Sequence, residues 1–412
     1  MVTLINTPYF PRIVRISARS GVFPGSAIRG VNEEVVRLEG SGVRVYGFHI
    51  GQPGLPPSRD LLLEFSKELL EKPFEYSMYT PSSGIAELRE AIAEDYSRYS
   101  GVKVSSGNVS VTAGSAEAIL AVFMTIIDEG DEVMLFDPTY LMYEPVINYL
   151  GGRAIRVRAR EELGWEPSEE DVKAVMSRRV KAIIAVNPDN PTGRVLSDSM
   201  IKLLVDLARD YDSFLIYDEA YRHLYYEGTH TYAIRYSLEN VIALNTFSKD
   251  PAMPGWRLGY VVAHEDFMKV FNRVKQYTNL NPPTPAQYAG LLYLRRYKEK
   301  YLSETLPIYK SRMEAMYRAI KEYLPDAMVV KPRAGLFMFP NLRPYLEGLG
   351  LDDYSFAIRL IREAHVAVVP GSAFGEAGRL HVRMTFARED ERDIEEGIRV
   401  MANYLGTLRN SK

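Results

Sequence analysis

Five apolar runs in this 412-residue sequence each end at a residue able to do chemistry. VIALNTF leads to Ser248 and Lys249, within NTFSKDPAMPGWRLGY at residues 245–260. SFLIY leads to Asp218, KAIIAV to the loop NPDNPTG with Asn190, VMLF to DPTY with Tyr140, and VSVTA to Gly114, Ser115 and Ala116. Taken singly, each has an ordinary reading as a surface lysine, a helix cap, a turn or a packing aromatic. Taken together they offer an amine, a carboxylate, an amide, an aromatic face and an anion cradle. An amine condenses with an aldehyde to a Schiff base. A carboxylate pairs with a protonated ring nitrogen, and free N–H groups at a helix start hold a phosphate. The ligand that uses all five is a flat, phosphorylated, nitrogen-containing aldehyde. That is pyridoxal 5'-phosphate, whose ring acts as an electron sink.

These residues need a scaffold that brings strand ends together. The six runs at residues 109–113, 133–136, 181–186, 213–218, 241–247 and 258–263 are apolar without in-and-out alternation, which suits strands covered on both faces. Helix-length segments such as residues 197–210 separate several of them. That order predicts an α/β layer with a largely parallel sheet, where ligands bind at the carboxyl ends of strands. After about residue 285 the chain reads as long helix to about residue 323. Then follow GLFMFP, VAVVPGSAF, LHVRMTF and a charged terminal helix from about residue 390, a second and smaller α+β unit. The division expected is 1–50 as an N-terminal arm and part of the small domain, 51–300 as the large domain and 301–412 as the small domain. The Pro-rich first residues are expected to rejoin the small domain.

Composition narrows the classes. A chain with 46% hydrophobic and 25% charged residues can bury a large core. A formal net charge of -3 and a pI near 6.2 give no electrostatic reason to expect nucleic acid. With no cysteine, disulfides, thiol nucleophiles and Cys-ligated zinc are excluded. The longest apolar stretch, near residues 118–127, is too short to span a bilayer. The first residues lack the basic-then-apolar order of a signal peptide, so a cytoplasmic location is expected. No G-x-G-x-x-G follows an early strand and no H-E-x-x-H occurs, which disfavours nicotinamide and zinc chemistry. No metal is expected.

At these residues the sequence resembles the class I/II aminotransferases of PLP fold type I, over roughly residues 51–386. The resemblance implies a three-layer αβα large domain with a mostly parallel sheet plus the smaller α+β domain. TFSKDPAMPGWRLG is similar to the family's Schiff-base segment, which makes Lys249 the lysine that holds the cofactor, with Ser248 and Arg257 on its phosphate. NPDNPTG and YDEAY resemble the family's loops. They imply Asn190 and Tyr221 on the ring's phenolic oxygen and Asp218 on the pyridinium nitrogen. TAGSAEA looks like the phosphate turn, giving Gly114, Ser115 and Ala116, and Tyr140 takes the ring-stacking position. Tyr79, in MYTPSSGIAELREAI, matches a tyrosine that reaches the phosphate of a neighbouring subunit, so a homodimer with composite sites is implied. Arg383 in LHVRMTFA matches the clamp on the substrate α-carboxylate, with Asn190 and Gly51 beside it. Three departures stand out. Ala116 replaces a Lys or Thr, Gly54 stands where an Asp is frequent, and GLFMF replaces a GAFY-type run.

The implied activity is transfer of an α-amino group between an L-amino acid and a 2-oxo acid, 2-oxoglutarate by family expectation, in a ping-pong cycle. Lys249, Asp218 and Tyr221 form the catalytic set. A β-lyase or an aminocyclopropane-forming enzyme uses the same groups and is the alternative, while a non-catalytic sensor module is disfavoured by retention of every catalytic group. The segment between Lys275 and Arg295 contains no arginine, which speaks against one known way of recognising a dicarboxylate.

Overall fold

The computed structural model describes residues 17–410. Residues 1–16, expected to rejoin the smaller unit, lie outside that span. From helix Ala27–Gly40 onward the chain packs on that unit: Val31, Val35 and Leu38 are buried with Ile361 and Ala367. Tyr46–Gly47 then pairs in parallel with Val366–Ala367.

The central sheet has eight strands: β1 (Val109–Thr112), β2 (Glu132–Asp137), β3 (Arg153–Arg160), β4 (Glu166–Pro167), β5 (Val180–Val186), β6 (Phe214–Asp218), β7 (Val241–Thr246) and β8 (Gly259–Val262). Their spatial order is β1-β8-β7-β6-β5-β2-β3-β4. The run β7-β6-β5-β2-β3 is parallel, whereas β8 lies antiparallel to both neighbours and β4 antiparallel to β3. All six apolar runs are strands of this sheet. β3 was not among them, because its sequence RAIRVRAR alternates arginine with small or apolar residues near the sheet's edge.

Both faces are covered, as continuous apolar strands require. Met134, Ile183, Leu215 and Ala243 enter one apolar cluster, while Val133, Leu135, Ile216 and Ile242 enter another on the opposite face. Helices Ala86–Ser100, Asp198–Asp210 and Thr284–Leu292 cover the first face, and helices Ser115–Ile126 and Glu265–Lys275 the second. Helix Asp198–Asp210 shows why such segments fold. The Ser197 hydroxyl caps the Met200 N–H at 3.2 Å. Met200, Ile201, Leu204, Val205 and Ala208 form the buried stripe. Each large side chain in that stripe contributes about 1.5–3 kcal/mol by leaving water.

The long helical run after residue 284 is interrupted by a five-residue π turn, Tyr293–Tyr297, before helix Lys298–Tyr323. Tyr301 on this helix packs in the sheet's core and Tyr309 in a second core. That second core joins helices Asp353–Ala364 and Glu391–Asn410 to a three-stranded antiparallel sheet of Phe337–Met338, Val382–Thr385 and Val369–Pro370. Among the described residues no helix is long and apolar enough to cross a membrane.

Candidate active site

A cleft of about 240 Å³ opens where the ends of β5, β6 and β7 meet the second core. Eleven residues singled out in the sequence line it: Gly51, Ser115, Ala116, Tyr140, Asn190, Asp218, Tyr221, Ser248, Lys249, Arg257 and Arg383. They come from seven separate stretches of chain, so the fold, not local sequence, assembles them.

Gly114 stands at the rim with φ +78°, beginning helix Ser115–Ile126. A Cβ there would lie 2.4 Å from Arg257 Nη2, so glycine is needed both for the backbone conformation and for the close approach of the guanidinium. The Glu117 carboxylate accepts from the Ala113 N–H at 2.5 Å and ties down the turn from behind. The first N–H groups of the helix and the Arg257 guanidinium thus converge on one spot suited to a phosphate. Arg257 donates to the Pro254 carbonyl at 2.9 Å. It precedes β8, whose antiparallel course brings its amino end, rather than its carboxyl end, to the cleft.

Asp218 closes β6 in a fully desolvated position. Tyr143 Oη donates to its Oδ2 at 2.7 Å and the Ala220 N–H to its Oδ1 at 3.1 Å. Burial raises its pKa, and the hydrogen bond from Tyr143 is the largest opposing effect. Such a carboxylate awaits a cationic partner. Tyr143 was not singled out in the sequence, although its position one helical turn after Tyr140 in TYLMY was a usable signal.

Lys249 follows β7 by three residues and donates to the Gly51 carbonyl at 2.6 Å. Desolvation, reinforced by Arg383 and Arg257 and opposed by Asp218, lowers its pKa to about 8. At pH 7 about one such amine in ten is neutral, against fewer than about one in a thousand at the ordinary lysine value. In protein freed of any cofactor, reaction of Lys249 with an aldehyde is expected to rise about tenfold per unit up to pH about 8 and then level off. Mass-spectrometric labelling rates across pH measure this, and a midpoint above 10 would contradict it.

Arg383 is buried between the Phe337 and Phe374 rings, at 4.6 and 5.0 Å from their centroids. It donates to the His49 carbonyl at 2.6 Å and to Asn190 Oδ1 at 3.1 Å, while its Nε has no protein partner. Burial lowers its pKa to about 10, so it stays cationic. Asn190 is itself held by a structure the sequence did not disclose. Arg194 pairs with Asp189 at 3.2 Å, each side chain 1% exposed, and donates to the Trp165 carbonyl at 3.0 Å. Burial pushes the Asp189 carboxyl up, and Arg194 is the main force opposing this. Removing Arg194 by Arg194→Ala leaves that carboxyl uncompensated and is expected to cost about 3–5 kcal/mol. Chemical denaturation measures the loss, and an unchanged midpoint would contradict it.

Tyr79 is the site residue that does not face this cleft. It is 80% exposed, near exposed Phe74 and Met78 in the chain. Among the described residues no cluster of His, Asp and Glu could hold a metal ion.

Residues 45–401 match the family model described as aminotransferase class I and II. An aspartate aminotransferase from Pyrococcus horikoshii is 32% identical over 382 residues, covering 92% of this chain and 95% of that one. A probable aspartate/prephenate aminotransferase from Aquifex aeolicus is 34% identical over 381 residues, covering 91% and 94%. Among solved structures, the aspartate aminotransferase from Thermus thermophilus with maleate matches with a TM-score of 0.89 at 30% identity, covering 95% of this chain and all of that one.

Proposed function

The chain belongs to the class I and II aminotransferases, amino-group transfer enzymes, and we propose that its cleft works through pyridoxal 5'-phosphate held by Lys249. The reaction is the passage of an α-amino group from an L-amino acid to a 2-oxo acid and back in a ping-pong cycle, with 2-oxoglutarate as the expected acceptor. One observation carries the reading: an unpaired lysine, a desolvated carboxylate, a buried arginine and an anion cradle line a single cleft. The donor set fits the cofactor. The bare Gly114 turn lets the Arg257 guanidinium lie against the start of the helix, Asp218 lacks a cationic partner in contact, and Arg383 keeps an unpartnered Nε.

When bound, the cofactor supplies a ring that draws off charge developing at the substrate Cα. Ser115, Ala116, Ser248 and Arg257 would hold the phosphate, and Tyr140 would stack on the ring. Asp218 would hold the ring nitrogen protonated, and Asn190 and Tyr221 would bind the phenolic oxygen. Lys249 Nζ would tether the cofactor and, as a free amine, would take the substrate Cα proton as general base. Arg383 fixes the substrate α-carboxylate, with Asn190 and Gly51 at its side, and so selects the Cα bond that reacts.

Arg383→Lys is expected to lower kcat/KM about a hundredfold, because a point ammonium cannot replace a bidentate fork, while leaving cofactor absorbance unchanged. Loss below threefold would contradict its role as the clamp. The relatives' names include aspartate and prephenate. In this cleft the cations are Lys249, Arg257 and Arg383, all employed above, and the neighbouring walls include Ile28, Met142 and Phe337. A dicarboxylate donor therefore draws its extra cation from beyond this set. A homodimer is part of the reading, supported by exposed Phe74, Tyr79, Tyr277 and Leu280, which a second copy would cover. An amino-donor panel with 2-oxoglutarate tests the activity. Exchange of amino group for oxo acid is the expected result, whereas release of ammonia and pyruvate would establish a lyase.

A further inference from the structure

Asp218 and Lys249 are each followed in the chain by a carboxylate, Glu219 and Asp250. Neither of these two lines the cleft. Both turn the other way and line one small enclosed cavity behind it, together with Arg222, Asn245, Tyr260 and Tyr293. Ala220 and Thr246 line both spaces, so the dividing wall is one residue thick.

Around this cavity lies a buried ionic cluster. Glu219 Oε2 accepts from Tyr96 Oη at 2.6 Å and from Asn245 Nδ2 at 3.0 Å, and its Oε1 lies 3.1 Å from His230 Nε2. Arg222 donates to Asp95 at 2.9 Å, Tyr260 Oη at 2.6 Å and Tyr232 Oη at 3.3 Å. Lys298 pairs with the other oxygen of Asp95. His223 lies 3.9 Å from Asp95, and burial lowers the pKa of His223 and His230, keeping both neutral. Tyr293 Oη donates to Asp250 at 3.4 Å. Three carboxyls, Asp95, Glu219 and Asp250, thus face two cations, Arg222 and Lys298. Both cations touch Asp95, so neither Glu219 nor Asp250 has a cation in contact, and burial pushes Asp250 up to about 6 against the pull of Lys298 and Arg222. The π turn Tyr293–Tyr297 shifts the helical register where Tyr293 and Lys298 enter this cluster. The Lys249 loop also carries Ala252 at φ +55°, a conformation that persists only where its surroundings hold it.

We propose that Glu219 and Asp250 are positioning residues, which through one shared buried cluster hold Asp218 and Lys249 in fixed relation. The inference rests on the reading of Asp218 and Lys249 as the reacting pair. Charged side chains packed around one buried cavity, acting on each other in low dielectric, constrain each other more than separate contacts do. A small misplacement of a reacting group is costly in rate but not in substrate affinity.

The test uses full-length enzyme loaded with pyridoxal 5'-phosphate and the variants Glu219→Gln, Asp250→Asn and both. Four quantities are read: melting temperature, the pH midpoint of bound-cofactor absorbance, kcat and KM. Each single variant is expected to lower kcat about tenfold or more with KM within about twofold. Glu219→Gln, which removes a carboxylate acting on Asp218, is also expected to lower the absorbance midpoint by about half a pH unit. The double variant is expected to lose no more than about the larger single loss, since both line one cavity and act on the same Arg222. Folded, loaded variants with the parent's kcat and midpoint would overturn the proposal, as would losses that multiply in the double variant. If one single variant fails to fold, the other decides by the same kcat and KM criteria. A parent enzyme with no cofactor at Lys249 would instead overturn the functional reading itself.

Discussion

Lys249→Ala is expected to lower turnover by at least about a thousandfold while leaving the protein folded. The kinetic loss is expected to be large because the proposed function puts two tasks on the same nitrogen, tethering the cofactor and moving the Cα proton. The fold survives because the amine makes one hydrogen bond, to the Gly51 carbonyl, and its ammonium form is disfavoured by burial beside Arg383 and Arg257. Removing a desolvated cation relieves that penalty rather than adding to it. Single-turnover kinetics and a denaturation curve on the same sample separate the two effects. Turnover within tenfold of the parent would mean that some other group moves the proton.

Asp218→Asn is expected to lower kcat about a hundred- to a thousandfold. The amide keeps the shape and a carbonyl oxygen for the Tyr143 hydroxyl, but it loses the negative charge that would hold a ring nitrogen protonated. In a water-excluded cleft a charge in the right place is worth far more than in solution. The melting temperature is expected to hold or rise, since a buried carboxyl raised in pKa by desolvation is itself a burden on the fold. Cofactor absorbance and kcat measured together check this. A variant with parental kcat would show that the ring nitrogen needs no carboxylate here.

The sequence disclosed these two residues because β6 and β7 are apolar runs that end abruptly in charge, and strand ends in one parallel sheet must lie together. The same logic located Asn190 after β5 and the Gly114 turn after β1. It did not anticipate that Arg257 arrives from the amino end of an antiparallel strand, which only the pairing of β8 with β1 and β7 reveals. Supporting groups were less legible. Arg194, Tyr143 and Glu219 lie next to readable segments, yet each acts through a partner distant in the chain or hidden by the fold.

Lysine shows the limit most clearly. Lys275 and Lys298 are more buried than Lys249, and nothing in RVKQY or RRYKEKY marks them as interior. Lys275 donates to the Ser82 carbonyl and Lys298 is paired with Asp95. Lys249 has no carboxylate in contact and faces the cleft. Burial alone does not identify a reacting amine. Burial without an ionic partner, at the mouth of a polar cleft, is the feature on which the proposal for Lys249 rests.

That contrast sets the decisive measurement. The cofactor-loaded, full-length protein is reduced with borohydride, digested and mapped by mass spectrometry. The expected result is one modified peptide, carrying the reduced cofactor on Lys249, with Lys275 and Lys298 untouched. A stable adduct on either of those lysines, or none at Lys249 in a loaded sample, would contradict the assignment of this cleft.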